Sequence, residues 1–158
     1  MIYKLISTAT REIIAPDGEV FELPAESNTL IKSHGALVQV NISLAKSEVE
    51  IIYTQGKQVE PFSCDALIDT GASISVISPK VVEQLGLVET GFKNIISVHS
   101  SELRPVYFGR IIFPWGSAME IPLVSCELQG FDCLIGRDVL RFWHMTYDGF
   151  NGEITICD

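Results

Sequence analysis

Two short stretches of the chain carry residues whose types and spacing could do chemistry. In the first, Asp69-Thr70-Gly71 closes the apolar run Ala66-Leu67-Ile68 and is followed by Ala72-Ser73-Ile74-Ser75-Val76-Ile77-Ser78. In the second, Phe131-Asp132-Cys133-Leu134-Ile135-Gly136 leads into Arg137-Asp138-Val139-Leu140. A carboxylate at the end of a strand, next to a small hydroxylated residue and a glycine that lets backbone approach, is suited to proton transfer. Two such carboxyls about 3 Å apart cannot both ionise cheaply, so they share one proton and titrate as a pair. One of them then takes a proton from an attacking water while the other protonates an oxygen. The chain has a single Asp-Thr-Gly and no Asp-Ser-Gly. A pair built from this motif alone would take its second carboxyl from a second copy, because an isologous two-fold contact brings a residue near the axis to its own counterpart.

Other chemistries fit less well. Ser73 and Ser75 have no His or Lys beside them in a recognisable motif, and a serine without a base is a weak nucleophile. Gly71-Ala72-Ser73-Ile74-Ser75 fails the Gly-x-Ser-x-Gly pattern at its last position. Cys126, Cys133, His144 and Cys157 lack the spacing of metal ligands, so neither a metal nor a cofactor is expected. No C-x-x-C pair joins the four cysteines Cys64, Cys126, Cys133 and Cys157. Reduced thiols filling apolar positions are the expectation, ahead of a Cys126–Cys133 bridge.

The elements that must position these residues are strands. The chain has 158 residues, 47% apolar and 20% charged, enough to build one packed domain with a short appended arm. Turn signals recur along the chain and long helical periodicity is absent, which predicts an all-β fold. Residues 11–23 read as a hairpin around Pro16-Asp17-Gly18, and residues 24–35 as a polar connector. Residues 36–44 alternate cleanly as a half-buried strand. Ser78 can cap a short helix that has Pro79 in its first turn and Gly86 past its end. Strands over 91–98 and 103–113 form a hairpin with the tip His99-Ser100-Ser101-Glu102. Pro114-Trp115-Gly116-Ser117 turns the chain into a strand over 119–126; a short helix over 137–142 and a hairpin of 144–147 with 153–157 complete it. The domains expected are an amino-terminal hairpin arm over 1–35 and a second domain over 36–158.

A net charge of −9 argues against a nucleic-acid partner, which needs a basic face. The first residues lack a basic region followed by a long apolar stretch, and no apolar run approaches the ~20 residues of a membrane span. With the unpaired cysteines, this gives the expectation of a cytoplasmic protein with no membrane contact.

The strings ALIDTGAS and LIGRDVL, in this order and at this separation, resemble the retroviral-type (retropepsin-like) aspartic protease family, in a bacterial-like variant. The tripeptide alone would arise by chance in about 3% of chains this long; the ordered pair of motifs is far more specific. The resemblance covers about residues 36–156. It implies a retropepsin-like acid protease barrel subunit with one or two short helices, closed as a homodimer, and an aspartic endopeptidase acting on extended peptide or protein segments. It makes Asp69 catalytic, with Thr70, Gly71 and Ala72 supporting it. It assigns substrate binding to Leu134, Ile135 and Gly136, and to His99, Ser100 and Ser101 at the tip of a covering hairpin. Arg137 becomes a structural ion-pair residue. Two departures stand out: Ser73 replaces the second Asp of the retroviral Asp-Thr-Gly-Ala-Asp, and the hairpin tip has no glycine. The alternative these raise is a retropepsin-fold domain that dimerises or binds peptide without cleaving it.

Overall fold

The computed structural model describes residues 2–6, 10–14, 20–24, 32, 35–96 and 101–157. In chain order the elements are β1 (Ile2–Ile6), β2 (Thr10–Ile14), β3 (Val20–Pro24), β4 (Ala36–Ser43), α1 (Lys46–Thr54), β5 (Phe62–Ile68), β6 (Val76–Ile77) and α2 (Pro79–Leu85). They continue as β7 (Glu89–Ile96), β8 (Ser101–Ile112), β9 (Ala118–Ser125), β10 (Cys133–Ile135), α3 (Arg137–Leu140), β11 (His144–Asp148) and β12 (Glu153–Cys157). The expected mostly-β architecture with few short helices is what forms. The chain divides into two compact units, residues 38–140 and residues 1–37 with 141–158.

Within 38–140 the strands follow the order β4-β5-β10-β6-β9-β8-β7, and β4 also pairs with β8, so the sheet closes on itself. Strong alternation drives this. Val38, Val40 and Ile42 of β4, and Phe62, Cys64, Ala66 and Ile68 of β5, point inward while their neighbours face out. Ile42, Ile77, Ile111, Leu123 and Ile135 are fully buried, each contributing roughly 1.5–3 kcal/mol of transfer free energy. β8 is long enough to serve three partners. Its residues 106–112 pair with β9, while its other edge meets β7 over 101–107 and β4 over 110–112.

The expected helix after the Asp-Thr-Gly turn is α2, with Pro79 in its first turn and Gly86 at φ 62° closing it. Its start differs in detail. Ser78 makes no side-chain cap; its hydroxyl donates to Asp132 Oδ1 at 2.7 Å and ties the helix to the start of β10 instead. α1 was not foreseen. It carries Val49, Ile51 and Ile52, which favour strands, and it buries no residue. Two carboxylates place its start: Glu48 accepts the Ala45 N–H at 3.2 Å and Glu120 accepts the Lys46 N–H at 2.6 Å.

In the other unit β12 is the middle strand of a three-stranded sheet, with β1 and β11 antiparallel on its two sides. β2 and β3 form the hairpin expected from the sequence, Thr10 opposite Pro24; residues 15–19 of its turn lie outside the described residues. Residues 141–158 thus group with the amino-terminal segment rather than with 38–140. The physical reason is the ladder from Ile2 opposite Cys157 to Ile6 opposite Glu153, which joins two ends that composition alone puts apart. Among the described residues no helix is long and apolar enough to cross a membrane.

Candidate active site

β5 and β10 run parallel, with Ala66 beside Cys133 and Ile68 beside Ile135. Parallel neighbours end at the same side of a sheet, so the turn after Ile68 and the turn after Ile135 are forced together. This brings the two sequence motifs into one place. The ladder continues one step past β5, where the Asp69 N–H donates to Ile135 O at 3.0 Å. The chain then turns back on its own carboxylate: the Gly71 N–H donates to Asp69 Oδ1 at 2.7 Å. Such an aspartate turn uses the side chain in place of a backbone acceptor. Asp69 is half-buried, while Thr70 and Gly71 are exposed. A Cβ on Gly71 would lie 3.0 Å from Asp69 Oδ1, so the glycine keeps the carboxylate uncrowded.

The second motif braces the first. Arg137 N–H donates to Ala72 O at 2.9 Å, and its Nη1 reaches both Thr70 O and Gly71 O at 2.8 Å. A guanidinium is a fixed fork of donors, well suited to bridging adjacent carbonyls. The expected ion pair at Arg137 is therefore replaced, among the described residues, by carbonyl contacts. Ser73, next along the turn, is exposed and has no carboxylate.

Beneath this lies a network that sequence reasoning missed. Ser75 is fully buried. Its N–H donates to Asp138 Oδ2 at 2.9 Å and its hydroxyl to Asp138 Oδ1 at 2.8 Å, while the Gly136 N–H donates to the same hydroxyl oxygen at 3.1 Å. Reading Ser75 as no nucleophile agrees with this buried, fully engaged hydroxyl. The available signal was an acidic residue in the first turn of a very short helix, aimed at whatever lies before that helix.

The remaining expected site residues divide. Leu134 is half-buried between Leu67 of β5 and Val76 of β6. Ile135 is fully buried in the core, and Gly136 is buried against the Ile74 main chain. Ser101 opens β8, exposed and opposite Ile96, and its hydroxyl contacts Asn94 Oδ1 at 2.9 Å. His99 and Ser100 lie outside the described residues. On the β7–β8 hairpin the register puts Phe92 opposite Pro105 and Asn94 opposite Leu103. Phe92, Ile96 and Leu103 consequently share one face, and all three are exposed. The opposite face carries Lys93, Glu102 and Arg104, the last two in an ion pair.

Two thiols line the strands that hold the turns. Burial pushes the Cys64 thiol up to about 12, with Asp132 and Asp65 adding to it. Burial likewise raises Cys133 well above the ordinary thiol range. All four cysteines are free.

Residues 49–111 match a family model described as aspartyl protease. The matched stretch contains the Asp69 turn. The chain is similar to the retropepsin-like aspartic proteases. No curated protein matches it. Among solved structures, a retropepsin-like aspartic protease from Rickettsia conorii is 14% identical over 95% of this chain and 93% of its own, with a TM-score of 0.46. The protease of simian foamy virus (mac) is 14% identical over 68% of this chain and 93% of its own, TM-score 0.45. The foamy viral protease-reverse transcriptase, solved with an RNA/DNA hybrid, is 17% identical over 68% of this chain, TM-score 0.45; the match spans only 12% of that chain.

Proposed function

We propose that the chain is an aspartic endopeptidase working as a homodimer, with one Asp69 from each copy at the two-fold axis. The observation that carries this is the Asp69 turn itself. A half-buried carboxylate ends β5 on an exposed Thr70-Gly71 turn, one oxygen fixed by the Gly71 amide, in a chain with a single such triplet. With Oδ1 held, Oδ2 is the oxygen left to face the partner copy's carboxyl. A water bound between the two loses its proton to the ionised carboxylate and attacks the peptide carbon. The protonated carboxyl donates to the carbonyl oxygen as it gains charge. No cofactor enters this scheme.

In this reading the substrate is an extended segment of peptide or protein, covered by the β7–β8 hairpin with its apolar face toward the site. Extended peptides bind by main-chain pairing, and alternate side chains are read by pockets, of which Leu134 forms a wall. The net charge of −9 leaves nucleic acid outside this picture. The test is cleavage of casein or of the chain itself across pH 3 to 7, with Asp69→Asn as the control. Cleavage that survives in the variant would refute the assignment. Scattering should give a mass of twice the 17.4 kDa protomer; a monomer at millimolar concentration would remove the second carboxylate and the mechanism with it.

A further inference from the structure

We propose that Asp138 and Ser75 are positioning residues that aim the Asp69 carboxylate; this rests on reading Asp69 as catalytic. The turn over residues 69–75 is pinned along its whole length, with Thr70 O and Gly71 O accepting from Arg137 Nη1 and Ser75 O from the Val124 N–H. Its first residue is held by Ile135 O, its middle by the Arg137 N–H on Ala72 O, and its last by Asp138 and Gly136 on Ser75. The pin of Ser75 on Asp138 is the strongest, since both oxygens of a carboxylate accept from one residue and hydrogen bonds to ionised acceptors are the strong ones.

The direction of each bond is fixed by chemistry. The Gly136 amide can only donate, so the Ser75 hydroxyl oxygen accepts there, and its single proton goes to Asp138. Two donors of Ser75 therefore need two acceptors at position 138. An asparagine keeps the volume but supplies one acceptor oxygen and an NH2 group, which sets donor against donor. Ser75→Ala removes the hydroxyl altogether and leaves the Gly136 N–H without its acceptor. Either change loosens the carboxyl-terminal end of the turn. The Thr70 and Gly71 main chain, whose amide orients Asp69 Oδ1 and whose carbonyls accept from Arg137, lies between that end and the first pin. Displacement of a reacting group by about 1 Å is enough to cost about a hundredfold in rate.

The experiment compares Asp138→Asn and Ser75→Ala with Ser78→Ala. The last removes a buried hydroxyl from the same chain segment, but its bond goes to Asp132 and not to the turn. Each protein is assayed on a peptide that the wild type cleaves in casein, and amide exchange is followed at Asp69 and Gly71. The first two variants are expected to lose about 10- to 100-fold in kcat with KM within about twofold. Exchange at Asp69 and Gly71 should quicken about tenfold, the scale of one hydrogen bond to a charged group, while β8 amides keep their rates. Ser78→Ala should change neither kcat nor those two amides. Unmoved exchange at Asp69 and Gly71, or a kcat loss in Ser78→Ala equal to that in Asp138→Asn, overturns the proposal. If the wild type cleaves nothing, the protease reading falls, and the exchange rates alone still decide whether Asp138 and Ser75 hold the turn.

Discussion

Gly136 lies face-on against the main chain of Ile74: a Cβ built on it would come within 2.6 Å of the Ile74 carbonyl carbon and oxygen. No side-chain movement relieves a contact with backbone. The two turns that make the site are therefore separated by no more than the thickness of a glycine. Gly136→Ala is expected to destabilise the protein by about 3 kcal/mol, at the upper end of overpacking effects. Thermal unfolding should fall by about 6–12 °C for a chain of this size. A variant melting with the wild type would mean that the turns part easily.

Asp69→Asn is isosteric, and Gly71 can still donate to its oxygen. Its stability should stay within about 0.5 kcal/mol of wild type while peptide cleavage disappears. Gly71→Ala should behave differently. Its methyl would sit 3.0 Å from Asp69 Oδ1, turning the carboxylate away, so a partial loss of kcat of about tenfold or more is expected. Single-turnover assays on both variants check this pair.

Phe92 and Leu103 are exposed on one face of the β7–β8 hairpin. Replacing either with Ser should change stability by less than about 0.5 kcal/mol, because little apolar area is withdrawn from water there. If that face covers substrate, KM for an apolar peptide rises about tenfold or more. An unchanged KM would remove the hairpin from peptide recognition.

The thiols give a pH-dependent expectation. The Cys64 pKa is raised in the folded chain from 9.0 to about 12, and Cys133 is raised as well. A raised thiol pKa means that the unfolded chain releases protons first. The stability linked to these groups is thus fully present below about pH 9 and lost as pH climbs toward 12. Denaturant midpoints measured from pH 8 to 11 should fall steadily, and less steeply in Cys64→Ala. At pH 8 a maleimide should modify half-buried Cys126 and Cys157 well before Cys64 and Cys133.

Much of the site was legible because its signals are local. A carboxylate and a glycine directly after an apolar run mark a strand end, and Leu134-Ile135-Gly136 marks another. Pro79 and Gly86 bracket α2 for stereochemical reasons that need no tertiary context. What escaped is non-local or runs against propensity. Ser75 and Asp138 are 63 residues apart, and nothing near either one announces the other. The parallel pairing of β5 with β10 decides that contact, and a three-residue strand is too short to show its partner by alternation. α1 was hidden by its β-branched residues and by Ala45, whose methyl cannot cap. The pairing of β1 with β12 joins the two ends of the chain, which no window of sequence contains.

The long strand β8 gives up its β9 neighbour at Val106, and beyond that point residues 101–105 pair, among the described residues, with β7 alone. Directly across, between Glu89 and Gly91, the ladder slips by a residue, with Gly91 at φ 155°. A bulge bends and twists the strand that carries it, and a ribbon of two strands is marginal without further support. The bend of the hairpin is thus concentrated at its base, where the closed sheet lets go of it.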